Sequence, residues 1–495
     1  MSRGLSQILS GLLVAWGSTL SAFDFHDVRS RAEALVKQPY EVITNRVPET
    51  FTRMSYDEYW KITNRRTNYW QRDGLPMGLQ FFHQGYIFNR GVKLHEIDGG
   101  RETPIPFNVD FFKYGTNHFE VPPDMQFAGF RLLNFRNGFG EVASFLGASY
   151  FRMIGKVQAF GTSARGLALN TTAKEGEEFP VFEQFWIRRP DKNSHEFLVY
   201  ALLDSPSATG AYQFNIQPGE DTVATVKVVI FLRQPVKEFG LAPLTSMFLY
   251  GENGRPIFTD FRPEVHDADG LLIENGRGEW LWHPLEAGKM IRANRFEAES
   301  PSGFGLMQRD RDFEHYQDDV AKFEHRPSVW VKPLGKWGRG SVQLVQLPSD
   351  SEYQDNVVAF WVPADAPQPG QAVELNYELH WTRADPSPAA LGHVRATRIG
   401  RALGRSAQGV SNLRFVVDFE GKYIESVPAK EKLSVNLKHS DAVTVVNSNV
   451  FKNEINNTWR LAIEIADPGK AIDLRAFLLR GEKAITETWT FTWQP

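Results

Sequence analysis

Carboxylates, guanidinium groups and indoles crowd into the stretch from Gln308 to Trp361. Arg309-Asp310-Arg311-Asp312 opens it, and His315-Tyr316-Gln317-Asp318-Asp319 and Arg326-Pro327-Ser328-Val329-Trp330 follow. Glu352-Tyr353-Gln354-Asp355-Asn356 ends directly before the apolar run Val357-Val358-Ala359-Phe360-Trp361. These are the side chains that a sugar-binding cleft needs. Aromatic faces take the apolar faces of pyranose rings, Arg and Asp bond the hydroxyls, and a pair of carboxyls can break a glycosidic bond. The competing reading is a solvated polar loop, since charge runs are usually exposed. Asp355, set immediately before a strand, can be held rigidly and still reach a cleft. A general acid there needs a pKa raised toward neutrality by burial or by a second carboxylate.

A second group is His266-Asp267-Ala268-Asp269-Gly270. Two acids before a Gly resemble the start of a calcium loop, but Leu271 and Ile273 occupy positions that should be ligands. A plain Asx-type turn and a catalytic base at Asp267 are the other readings. Gly147-Ala148-Ser149-Tyr150-Phe151 and Gly161-Thr162-Ser163-Ala164-Arg165-Gly166 lack the glycine spacing of a nucleophile elbow and read as tight turns. There is no phosphate-binding loop, dinucleotide fingerprint or zinc-binding His-Glu motif, so no metal or cofactor is expected. His83, His266, His283 and His315 lack metal spacing and read as hydrogen-bonded structural residues. Trp60, Trp70, Trp186, Trp280 and Trp282 suit a core or a sugar platform equally well.

The elements that must position these groups are mainly strands. Forty Gly, 28 Pro and 13% aromatic residues favour many short strands joined by turns. Two short helices precede them. One runs from Phe23 to Val36 with Asp24 as N-cap, and the other starts at the Ser55-Tyr56-Asp57-Glu58 capping box. Both are expected to plug sheet edges, with no chemistry of their own. Leu79–Phe82, Val92–Ile97, Phe197–Leu203 and Thr225–Leu232 then alternate with period two. No helical segment recurs between strands, which argues against a parallel βαβ sheet. Asp385-Pro386-Ser387-Pro388, continuing to Gly392, reads as a linker (385–392). It should separate a large antiparallel β-sandwich, residues 23–384, from an immunoglobulin-like sandwich, 393–495. The fold class is all-β.

Residues 1–22 read as a secretory signal peptide. Arg3 is the basic region, Ile8 to Trp16 the apolar region, and Ser21-Ala22 the cleavage site. The chain has no cysteine, so disulfides and thiolate metal sites are excluded and a large core must hold it. Fifty-five basic residues against 59 acidic ones give a formal charge of −4, which argues against nucleic acid or an anionic membrane as partner. Periplasm is the expected compartment.

With these residues laid out, the chain resembles the periplasmic glucan biosynthesis proteins G and D, which are associated with osmoregulated periplasmic glucans. The resemblance rests on Gly147–Arg152, Ser163–Ala168, Tyr200–Pro206, Ala242–Phe248, Arg262–Asp267 and Gly303–Leu306. It implies a grooved β-sandwich followed by an immunoglobulin-like domain, binding of β-1,2-linked glucan, and, in some members, inverting endo-β-1,2-glucanase activity. It further implies that Asp355, in Asp355-Asn356-Val357-Val358-Ala359, is the general acid and that Asp267 is the base. An inverting pair leaves room for water, with carboxyls about 6.5–9.5 Å apart or more. His266, Arg309, Arg326, Trp330 and Trp361, placed beside the acids in sequence, are expected to line the cleft. Gln308–Asp312 and His315–Asp319 look more like the D type. Phe323 stands where a Tyr commonly occurs, which would slow turnover if that hydroxyl serves the proton relay. The rival expectation is a non-catalytic glucan-binding scaffold. A membrane-bound glucan synthase complex is the expected protein partner, with the C-terminal sandwich as its docking part.

Overall fold

The structure is a computed structural model that describes residues 22–42, 47–65, 69–70, 73–138, 140–254, 259–405 and 411–495. All but the last residue of the expected signal peptide lies outside the described residues. Strands dominate, and the architecture is an all-β sandwich, as composition and period-two patterning predict.

Two large sheets face each other. In the ten-stranded sheet, strand Phe239–Ser246 lies between Ser163–Arg165 and Val357–Pro363, and Val357–Pro363 pairs in turn with Arg339–Gln346. The fifteen-stranded sheet runs through the long strands Phe197–Asp204, Ala208–Gln217, Thr222–Leu232 and Ala372–Thr382. Phenylalanines interdigitate between them. Phe130 meets Phe185 with ring centroids 5.0 Å apart, and Phe151 meets Phe214 at 5.0 Å. Burial of such rings is the main force holding a chain without disulfides.

The first helix, Phe25–Leu35, is capped by Asp24 as the sequence predicts. It covers a face of the sheet and does not plug an edge. Phe25, Val28 and Ala32 pack on Ala211, Val229 and Phe231. This explains why Thr222–Leu232 is apolar on both faces toward its end. The helix is tied down at its C-terminal carbonyls, where Thr209 Oγ1 donates to Ala32 O at 2.8 Å and Arg233 Nη2 donates to Leu35 O at 3.0 Å.

The segment after the linker forms a four-stranded sheet, with His393–Arg405, Ser411–Glu420, Thr458–Ile465 and Val445–Asn453 as neighbours in that order. Its remaining strands do not stand apart from the large sandwich. Thr488–Trp493 pairs in parallel with Trp280–Pro284, which extends the fifteen-stranded sheet across the linker. The core beneath the four-stranded sheet also takes Leu272, Trp282, Met307 and Trp330 from the other side. The linker is pinned as well. Gly392 N donates to Ile485 O and Glu487 N donates to Gly392 O, both at 2.8 Å. Among the described residues two strand pairings in the large sheet are parallel, this one and that of Lys93–Asp98 with Val181–Arg188.

Candidate functional site

Asp355 ends a loop between strands Arg339–Gln346 and Val357–Pro363. Its placement is the work of the next residue. The buried Asn356 side chain donates to Phe248 O at 2.9 Å and Leu347 O at 3.1 Å, and accepts from Phe248 N at 2.9 Å. Its backbone N donates to Ser246 O at 3.0 Å. With every polar atom of Asn356 committed to the strand ends, the preceding carboxylate is fixed at the mouth of the sheet.

Asp355 opens onto a cavity of about 680 Å³ whose walls include Ile87, Phe88, Tyr150, Arg152 and Tyr353. Its surface is exposed, yet protein atoms surround it closely on the other sides. That crowding, followed by the charge of Asp267, pushes its carboxyl up to about 6 against the pull of Arg165, Arg152 and Arg326. Arg152 feels both Asp355 and Asp267. The two acids, 88 positions apart in the numbering, therefore share one electrostatic neighbourhood.

Asp267 follows the short strand Val265–His266, and its N donates to Met247 O at 2.8 Å. It is only 5% exposed, and its Oδ1 accepts from Arg326 Nη1. Burial raises its carboxyl, and Arg326 opposes the rise. Arg326 is itself seated. Its Nε and Nη2 donate to Ala321 O at 3.2 and 3.1 Å, and its guanidinium lies 4.2 Å from the centre of the Phe323 ring. Gly161 allows this approach, since a Cβ there would meet Arg326 Cβ at 2.9 Å.

Of the five residues expected to line the cleft, Arg326 is the one with a hydrogen bond to Asp267 or Asp355 among the described residues. His266 has no exposed surface. It bridges Gln308 Oε1 at 2.9 Å and Glu264 Oε2 at 3.0 Å, and stacks on Phe248. Burial works against its charged form, but the bond and charge of Glu264 win and push it up to about 9. Arg309 points to the C-terminal segment. It donates to Glu487 at 2.6 and 3.0 Å, to Asp385 at 2.8 Å and to Val394 O at 3.1 Å, and lies 3.8 Å from the centre of the Trp282 ring. Trp330 is 6% exposed, stacks on Trp280, and closes over Gly303 and Gly305. Trp361 is 1% exposed and packs on Gly340 and Trp337. Both indoles belong to hydrophobic cores because their sheets are covered on both faces, which leaves no outward side for a sugar platform.

The site residues that sequence proximity missed are Tyr150, Arg152, Arg165, Tyr353 and Asn356. Arg165 donates to Thr245 Oγ1 and to Glu177 Oε1, each at 2.7 Å, and lies 4.9 Å from the centre of the Tyr150 ring. The tight turn predicted at Gly147-Ala148 is present, with φ of 78° and 40°, and it delivers Tyr150 and Arg152 to the cavity.

Asp269 does not begin a calcium loop. Its Oδ2 accepts from Arg309 N at 2.8 Å and Asp310 N at 2.9 Å, and Leu271 and Ile273 are buried in a strand. Glu264, Asp310 and His315 bring potential ligand atoms within 4.8 Å of one another. Glu264 already pairs with His266 and Asp310 with His315, so the group is satisfied as ion pairs. Among the described residues no helix is long and apolar enough to cross a membrane.

A family model described as periplasmic glucan biosynthesis protein, MdoG, matches residues 23–493, which take in both the acid pair and the C-terminal sheets. The chain belongs to the family of periplasmic glucan biosynthesis proteins, acts in the periplasm, and has its role in glucan biosynthesis.

Proposed function

We propose that the protein trims the β-1,2-linked glucose backbone of periplasmic glucans by inverting hydrolysis. One observation carries this reading: Asp355 opens onto a cavity and interacts electrostatically with the buried Asp267, so two carboxyls in different settings stand within reach of each other. Asp355, held near half-protonation at about pH 6, donates its proton to the leaving glycosidic oxygen as the C1–O bond breaks. Asp267, hydrogen-bonded to Arg326, takes the proton of a water whose oxygen attacks C1 from the opposite face. Arg152, in reach of both, stabilises the charge that passes between them.

The test is digestion of linear β-1,2-glucan by the wild type and by Asp355→Asn, with the new anomer followed by NMR. Fresh α-anomer from the wild type alone is the expected result. Products of retained configuration, or equal cleavage by both proteins, would reject the assignment.

A second reading, a glucan-binding scaffold without catalysis, is favoured by the closure of Asp267, which is buried and already bonded to Arg326. Binding without cleavage by both proteins would select it. Docking of the C-terminal sheets to a membrane-bound glucan synthase complex fits either reading.

A further inference from the structure

The short helix Tyr56–Trp60 buries none of its own residues, although it carries three aromatic rings. Trp60 is 71% exposed and Tyr56 55% exposed. Their rings stack on each other, centroids 5.9 Å apart and planes 26° apart, as residues four positions apart on a helix can. A flat, solvent-facing aromatic pair is costly in water and marks a surface that meets something.

This surface is continuous with the cavity at Asp355. Tyr86 stands edge-on to Tyr56 at 5.9 Å and contacts Tyr59 at 6.3 Å. Tyr86 belongs to a tight turn closed by Gly85 N to Phe88 O at 3.1 Å and Phe88 N to Gly85 O at 2.9 Å. Its left-handed backbone, φ 55°, is held by Asn89 Nδ2 donating to Tyr86 O at 2.8 Å. The next residues, Ile87 and Phe88, are cavity wall. Ile87 is 69% exposed, and Phe88 packs on Tyr59 at 5.5 Å. A chain of aromatic contacts thus leads from Trp60 through Tyr56 and Tyr86 to residues that line the same cavity as Asp355.

We propose that Trp60 and Tyr56 form an outer sugar platform that holds a glucan chain where it leaves the Asp355 cavity. The proposal rests on the glucan reading above and adds a second contact to it. Pyranose rings present flat C–H faces and an edge of hydroxyls, which suits an exposed aromatic strip. A short oligosaccharide fills the cavity alone, and only a longer chain reaches the platform. The two rings therefore set a preference for long chains.

The experiment is isothermal titration of length-defined linear β-1,2-glucans in an Asp355→Asn background, so that no chain is consumed. Trp60→Ala and the double change with Tyr56→Ala should weaken binding of long chains about tenfold, and leave the shortest bound chains unchanged. Trp60→Phe, which keeps a ring, should restore most of the long-chain affinity. Unchanged long-chain binding in Trp60→Ala would overturn the platform, and so would an equal loss at every length. If the Asp355→Asn protein binds no β-1,2-glucan of any length, the glucan reading falls with it. If it binds but shows no length-dependent loss, the platform alone falls.

Discussion

Arg326 donates a hydrogen bond to the Asp267 carboxylate across a sequence separation of 59 residues. The pair joins the two polar stretches that hold the proposed acid and base. Asp267 is buried, which raises its carboxyl, and the Arg326 guanidinium opposes that rise.

Arg326→Ala should therefore leave a carboxyl without its cation in a closed site. We expect glucan cleavage to fall about 100-fold. Folding stability should fall by about 3 kcal/mol, as when one member of a buried pair is removed. Arg326→Lys should not rescue, because an ammonium cannot reproduce both the Asp267 bond and the forked contact with Ala321 O. Kinetics and denaturant titration on both variants check this.

On the proposed mechanism, Asp355 should set the pH dependence. As the proton donor, it makes the turnover rate fall above about pH 6. Its folded pKa lies above its unfolded value of 3.8, so its contribution to stability is full below pH 3.8 and is lost as pH rises through about 6. Asp355→Asn removes that loss. The melting temperature of the variant relative to wild type should rise between pH 4 and pH 7 while cleavage disappears, and calorimetry across that range measures it.

Trp330 should behave as a core residue and not as a sugar platform. Trp330→Ala removes an indole that packs against Trp280, Gly303 and Gly305, and a loss of about 3–5 kcal/mol is expected. The KM for glucan should stay unchanged at temperatures where the variant is folded. A weakened KM with unchanged stability would reverse the assignment.

The C-terminal sheets should not separate cleanly from the rest. Glu487→Gln weakens a fully buried partner of Arg309 and should cost about 3 kcal/mol. Truncation after Gly392 would bare Leu272, Trp282, Met307 and Trp330 together and leave Arg309 without Glu487. One cooperative transition in the intact protein, and aggregation of the truncated chain, are the expected observations in scanning calorimetry and light scattering.

Local pattern was enough for the strands. Alternation in Leu79–Phe82, Val92–Ile97 and Thr225–Leu232 reappears as strands Met77–His83, Lys93–Asp98 and Thr222–Leu232, because a strand needs only its own period of two to show itself. The helix caps at Asp24 and Ser55 were equally legible, since a cap is a contact between near neighbours. The position of Asp355 before a strand was visible for the same reason. What faced the cavity was not. Neighbours of an acid in sequence point to other sides of the backbone, so His266 ended in a buried network and Arg309 at the C-terminal segment. Trp330 and Trp361 lie in sheets covered on both faces, where an aromatic residue is core whichever way it points. Tertiary folding alone brought Arg152, Arg165 and Arg326 to the acids, and alone left Trp60 bare while burying Trp70 and Trp186. Side-chain types fix what chemistry is possible, but the distances and burial that select among them come from long-range packing, which no local pattern records.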